Sequence, residues 1–260
     1  LKKISGKIQN VNSIIRQIAV PTTLSGGEYS IVGGAMDTKR KLKEAYLGKD
    51  LCPQVVILDP YISTHTPNWL WLSTAIRSID HAIESFCSNL KNPLIDHNAL
   101  ESLRIFSYSL RETKDDFYNI EARSQSQKAV WMIAKNMGNV TMGASHGIGY
   151  LLGSIGSVPH GQTSCVMLPA VLKWNEDFHP EKDKMIANAL GRPKLKAYEA
   201  VKELIIDLGL PHCLQDVGIG RDKYKKIVKY ALEHQTVLAN PKPISKADDI
   251  LEILYNAERG

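Results

Sequence analysis

The chain has 260 residues, a formal net charge of +5, 43% hydrophobic residues and 23% charged residues. That length holds one large domain or two modest ones with a substantial core, and the composition is ordinary for a soluble globular protein. The dense basic stretches KRKLKEAYLGK (39–49) and RDKYKKIVK (221–229) read as lysines on the solvent side of a helix or loop, without the aromatic-basic pattern of a nucleic-acid surface. Cys52, Cys87, Cys165 and Cys213 lie far apart with no C-x-x-C pair, which points to free thiols in a reducing compartment and away from a disulfide framework. No apolar run reaches the roughly 18–20 residues of a membrane span and no signal-peptide pattern is present, so a cytoplasmic location is expected.

In chain order, the apolar, β-branched runs RQIAVPTT (16–23) and PQVVILDP (53–60) read as buried strands, with GEYSIVGGAM (27–36) as a third. From Asn68 the period becomes helical: Leu72, Ile76, Ile79, Ile83 and Phe86 share one face of a helix over 68–89. Further helices are predicted at 93–112, 119–137, 143–156, 161–174, 181–190, 195–208, 221–234 and 245–257, punctuated by Pro and Gly. The chain therefore reads as mainly α, a helical bundle preceded by a small α/β piece too short in strands for a comfortable sheet of its own.

Polar residues single out three places. On the helix 68–89, His81 shares a second stripe with Ser73, Arg77, Glu84 and Ser88, three, four or seven residues apart. That stripe is either a solvated face or an inward lining of a cleft shared with 143–174. In GASHGIGYLLGSIGSVPHGQ (143–162), His146 and His160 stand fourteen residues apart in a Gly-rich apolar segment. Each alone has a bland reading, as a core imidazole bonded to a carbonyl or as a turn residue after Pro159. Three histidines on neighbouring helices are also a way to build a metal or proton-transfer site in a bundle, although no H-E-x-x-H signature is present.

AVPTTLSGGE (19–28), PQVVILDP (53–60), HAIESF (81–86), the block 143–175 and the tail 240–260 together resemble the iron-type (group III) alcohol dehydrogenases, with the maleylacetate reductases as the nearest branch. The resemblance implies a dehydroquinate synthase-like architecture: residues 1–60 as part of an α/β dinucleotide-binding domain, and 61–260 as an all-helical metal and substrate domain. It implies NAD(P)(H) as cofactor, a small carbonyl or alcohol as substrate, and a divalent iron or zinc ion held by His81, His146 and His160. It also implies cofactor contacts at Thr22, Thr23, Ser25 and Gly26, and it aligns Lys43 with a family lysine near the cleft. The family's Gly-rich phosphate loop would fall upstream of Ala19, so most of the nucleotide domain is expected to lie outside this chain.

Two departures bear on chemistry. Arg77 stands four residues before His81, where the family has Asp, or Asn in the maleylacetate reductases; a guanidinium is never a ligand and repels a dication. Tyr150 stands four residues after His146, where the family often has histidine. Arg77, Tyr150 and Lys43 are therefore the candidate catalytic residues of an NAD(P)-dependent oxidoreductase. The alternative is a non-redox enzyme on the same scaffold, doing cyclisation, isomerisation or elimination without metal or nucleotide. The partners expected are a small-molecule substrate and, through the strand region, a second copy of the chain, with no nucleic acid and no membrane.

Overall fold

The computed structural model describes residues 9–10, 15–37, 42–90, 92–134 and 140–258. Among these, all the strands precede the first α-helix: β1 (Gln9–Asn10), β2 (Ile18–Ala19), β3 (Val32–Asp37), β4 (Leu42–Leu47) and β5 (Val55–Val56). β2 and β5 pair in parallel, Ile18 opposite Val55, which brings the two runs expected as strands together. They are not buried, however: Ile18 is 68% exposed and Val55 49%. A second sheet has the order β1-β4-β3, with β4 antiparallel to β3 and parallel to β1. The lysine-rich stretch 39–49, expected on a helix or loop, thus contains strand β4; pairing with β3 overrides a composition that favours helix. In the run 27–36 the strand begins only at Val32, because Gly26, at φ 73°, turns the chain into a short 3₁₀ turn over Gly27–Tyr29.

The remainder is helical, so the chain is mainly α as its periodicity predicts. α1 (Asn68–Cys87), α2 (Pro93–Asp115), α3 (Ile120–Ala134), α4 (Ala144–Gly156) and α5 (His160–Asn175) surround the region of interest. α6 (Pro180–Ala189), α7 (Ala197–Asp207), α8 (Tyr224–Ala231), the single turn α9 (Gln235–Leu238) and α10 (Ala247–Asn256) complete the described set. Local chemistry sets the boundaries. Asn92 caps α2 by accepting from the Leu94 and Ile95 N–H groups at 3.1 and 3.4 Å, with Pro93 pre-set for the first helical position.

Two apolar clusters hold the bundle together. One joins α1, α2, α3, α6 and α7 around Ile76, Leu103, Phe106 and Leu204; the other joins α4, α5, α8 and α10 around Ile148, Met167, Ile227 and Ile253. α5 feeds both, with Cys165, Leu168 and Leu172 turned to the first cluster and Val166, Met167 and Val171 to the second. A helix apolar all round belongs between two cores, and α5 sits there. Its N-terminal turn lies against α1: a Cβ at Gly161 would come within 2.8 Å of the Ser73 carbonyl carbon, so only glycine permits this approach.

Candidate functional site

From Trp71 to Phe86, α1 is buried on every side. Besides its apolar stripe, the polar residues Ser73, Arg77, Asp80, His81, Glu84 and Ser88 are all buried. The stripe is therefore an inward lining, not a solvated face. A helix can bury so many polar groups only if neighbouring elements supply partners, and α4 and α5 do so.

Glu84 acts as a cap for a helix other than its own. Its carboxylate accepts from the Gly143 N–H and the Ser145 N–H, both at 2.7 Å, at the start of α4. Free N–H groups at a helix N-terminus favour such an anion. The same carboxylate lies 2.7 Å from His146 Nδ1, so Glu84 fixes both the helix and the ring it carries. Asp80 Oδ2 accepts from the Ser145 hydroxyl at 2.8 Å and the Ser164 hydroxyl at 2.7 Å, and lies 3.4 Å from His146 Nδ1. Arg77 Nη1 donates to the Ser164 oxygen at 3.1 Å and lies 3.9 Å from Asp80 Oδ2. The rings of His81 and His146 face each other with centroids 4.5 Å apart. Four buried atoms here make no hydrogen bond: Arg77 Nε, Asp80 Oδ1, His81 Nδ1 and His146 Nε2.

The charges follow from this packing. Burial holds His81 well below the ordinary imidazole range, and the positive charges of His146, Arg77 and His160 push it the same way. His146 goes the other way: burial and Arg77 lower it, but Asp80 and Glu84 outweigh them and raise it. For Asp80, burial is outweighed by His146, Arg77 and the Ser164 hydroxyl, so its carboxyl is held below the usual range.

The residues singled out in the sequence are placed as follows. Arg77, His81 and His146 converge. His160, the first residue of α5, is exposed, yet close enough to His81 for its charge to act on that ring. Tyr150 is half-buried on α4, its ring 5.8 Å from that of His234. Lys43 belongs to β4, opposite Met36, and its side chain lies outside the described residues. The turn bearing Thr22, Thr23, Ser25 and Gly26 is fastened to α1: the Leu24 N–H donates to Thr74 Oγ1 at 3.1 Å, and the Ser78 hydroxyl donates to the Leu24 carbonyl. Thr66 holds the Thr22 carbonyl at 2.8 Å, and the hydroxyls of Thr23 and Ser25 are 3.1 Å apart. Thr74 and Ser78 flank Arg77, so this turn and the buried cluster share one stretch of helix. Sequence reasoning missed Asp80, Ser145 and Ser164. Asp80 had a signal, since it lies seven residues after Ser73 and four before Glu84, on the same stripe; the two serines had none.

Residues 72–258 match the Fe-containing alcohol dehydrogenase family, C-terminal. The chain belongs to that family. Among its relatives, Dehydrogenase ALT3 of Alternaria alternata is 32% identical over 93% of this chain and 71% of its own length. Maleylacetate reductase of Pseudomonas sp. (strain P51) is 26% identical over 92% of this chain and 66% of its own. Among solved structures, the iron-containing alcohol dehydrogenase from Corynebacterium glutamicum is 25% identical with a TM-score of 0.85, covering 95% of this chain and 67% of that one. The chain thus spans about two thirds of the length of these relatives. No described helix is long and apolar enough to cross a membrane.

The family name implies iron, and the residues of this chain do not fit such an ion. Two buried imidazole nitrogens are open, but the side chain one turn before His81 is a guanidinium. A dication within about 4 Å of it would be opposed by about 8 kcal/mol at an effective dielectric of about 20. Asp80, Glu84 and His146 do present ligand atoms within 4.8 Å of one another. That closeness is made by proton donors: Asp80 Oδ2 and both Glu84 oxygens already accept N–H or O–H groups.

Proposed function

We propose that the chain is the substrate-side part of an NAD(P)-dependent oxidoreductase that transfers hydride to or from a small carbonyl or alcohol. In this reading residues 1–60 belong to the nucleotide-binding region and 61–260 form the substrate domain. The observation that carries it is the fastening of the turn 22–26 to α1 beside Arg77. A nucleotide held at Thr22, Thr23, Ser25 and Gly26 would meet a substrate held by the buried cluster on the same helix. Hydride transfer needs that adjacency, because the reacting carbons must approach to about 3–3.5 Å. Membership of a family of alcohol dehydrogenases supports the same reading.

In the reducing direction a bound nicotinamide would supply hydride to the carbonyl carbon, and the oxygen would take up a proton from solvent. Charge develops on that oxygen, and a fixed positive donor there stabilises it. Arg77 supplies that positive charge close by, and Ser164 and Asp80 hold it in place. Around it, the buried packing of α1, α4 and α5 limits water. Apolar residues left exposed on and just after the β2–β5 pair, Ile18, Val20, Val55 and Ile57, support the proposal that a second copy of the chain covers this region; sedimentation of the full chain tests it.

Oxidation of NADH or NADPH by the full-length protein, assayed with short oxo acids and aldehydes, tests the reaction. Nucleotide consumption with at least one substrate class is expected. Absence of turnover together with no calorimetric binding of either nucleotide would overturn the proposal and favour proton-transfer chemistry on the same scaffold.

A further inference from the structure

Arg77 is the least satisfied charged group of the buried cluster on α1, α4 and α5. A guanidinium carries five N–H donors. Here Nη1 has one hydrogen bond, to Ser164, and Nε is buried with no partner. Asp80, at 3.9 Å, neutralises it through space but is too far to accept a hydrogen bond. The two rings beside it, His81 and His146, each present a buried nitrogen with no partner. A cation buried with donors in surplus calls for an acceptor, and every carboxylate oxygen facing this point but Asp80 Oδ1 is already engaged. The arrangement suits a planar oxyanion, which pairs with a guanidinium through two parallel hydrogen bonds.

We infer that Arg77 takes the place of the family's metal ion: the buried cluster of α1, α4 and α5 binds the carboxylate of a small oxo acid, with the guanidinium as its anchor, and binds no divalent cation. The inference rests on the proposed hydride-transfer reading for the word "oxo", whereas the anion and cation preferences stand without it. It follows from charge and geometry. The carboxylate that would ligate at position 77 is absent, and the one at Asp80 is held by two serines and faces the arginine. Arg77 keeps its proton at any working pH, so its open donors do not titrate away.

Two opposite probes, malonate and Zn²⁺, test this on the full chain. For the wild type, malonate is expected to raise the melting temperature by about 3 °C at roughly tenfold excess over its dissociation constant. Zn²⁺ should give no such rise, and elemental analysis after dialysis should find well under one divalent metal per chain. Arg77→Asp is expected to reverse both results, losing the malonate shift and retaining about one Zn²⁺ per chain. Should Arg77→Asp fail to fold by circular dichroism, Arg77→Met carries the test: the malonate shift should vanish with no gain of zinc. A wild type that keeps a stoichiometric metal, or a malonate shift that survives in Arg77→Met, would overturn the inference. None of these readouts needs turnover, so they separate failure of the anion site from failure of the redox reading.

Discussion

Arg77 and Arg123 are both buried arginines, and their surroundings differ in kind. Arg123, on α3, is fully buried with its guanidinium 4.5 Å from the Trp71 ring centre and 4.4 Å from that of Phe117. It donates to the Phe117 carbonyl at 2.8 Å and to the Ser63 carbonyl at 2.9 Å, and its one open donor, Nη2, is buried in a guanidinium packed on two aromatic faces. Arg77 has one hydroxyl, a distant carboxylate and an open Nε. The first is a clamp that ties the segment after β5 to the helices. The second is a charge held ready for a ligand. Neither burial nor one open donor separates the two, since each leaves a buried nitrogen unpaired; the surroundings do, aromatic faces and carbonyls around Arg123 against a hydroxyl, a carboxylate and two imidazoles around Arg77.

That contrast is broken or sharpened by four substitutions. Arg77→Met should lower kcat/KM about a hundredfold, through loss of the guanidinium that anchors the substrate carboxylate and of its positive charge beside the developing oxyanion, while leaving nucleotide affinity unchanged. Steady-state kinetics beside calorimetry separates the two effects, and equal loss in both would make Arg77 a merely structural residue. Arg123→Met should do the reverse, costing about 2.5 kcal/mol in urea unfolding because the Ser63 and Phe117 carbonyls lose their donor. Gly161→Ala should cost about 2 kcal/mol by forcing α5 away from Ser73, and it should also weaken turnover, since Ser164 reaches Arg77 from that same helix.

The smallest effect is expected at a surface arginine. Arg221 grips Glu258 through two bonds of 2.8 and 2.7 Å and holds that carboxyl below its usual range. A depressed folded value means stability that is present above the unfolded value of about 4.3 and lost as pH falls through the lower folded value. Glu258→Gln should flatten that acid limb by less than about 1 kcal/mol, because the pair is solvent-screened. Denaturation midpoints across the acid range would show it.

Much of this protein was legible in one dimension. Helical periodicity marked α1 and its apolar stripe, because 3.6-residue spacing is a local property that the sequence displays directly. The stripe of Ser73, Arg77, His81 and Glu84 was legible for the same reason, and the family pattern in 143–175 pointed to His146 and His160. Strand β4 was not, since its Lys, Glu, Leu and Ala favour a helix in isolation and only pairing with β3 selects the strand. Nor could the sequence decide which way the polar face of α1 turned. That depended on α4 and α5 arriving to satisfy it, from residues some sixty to eighty positions away. The serines at 145 and 164 carry no pattern of their own. The sequence by itself determined which side chains could form a site; the tertiary structure decided that Asp80 would face Arg77, because burying either charge alone is too costly and folding brings the two serines to hold them together.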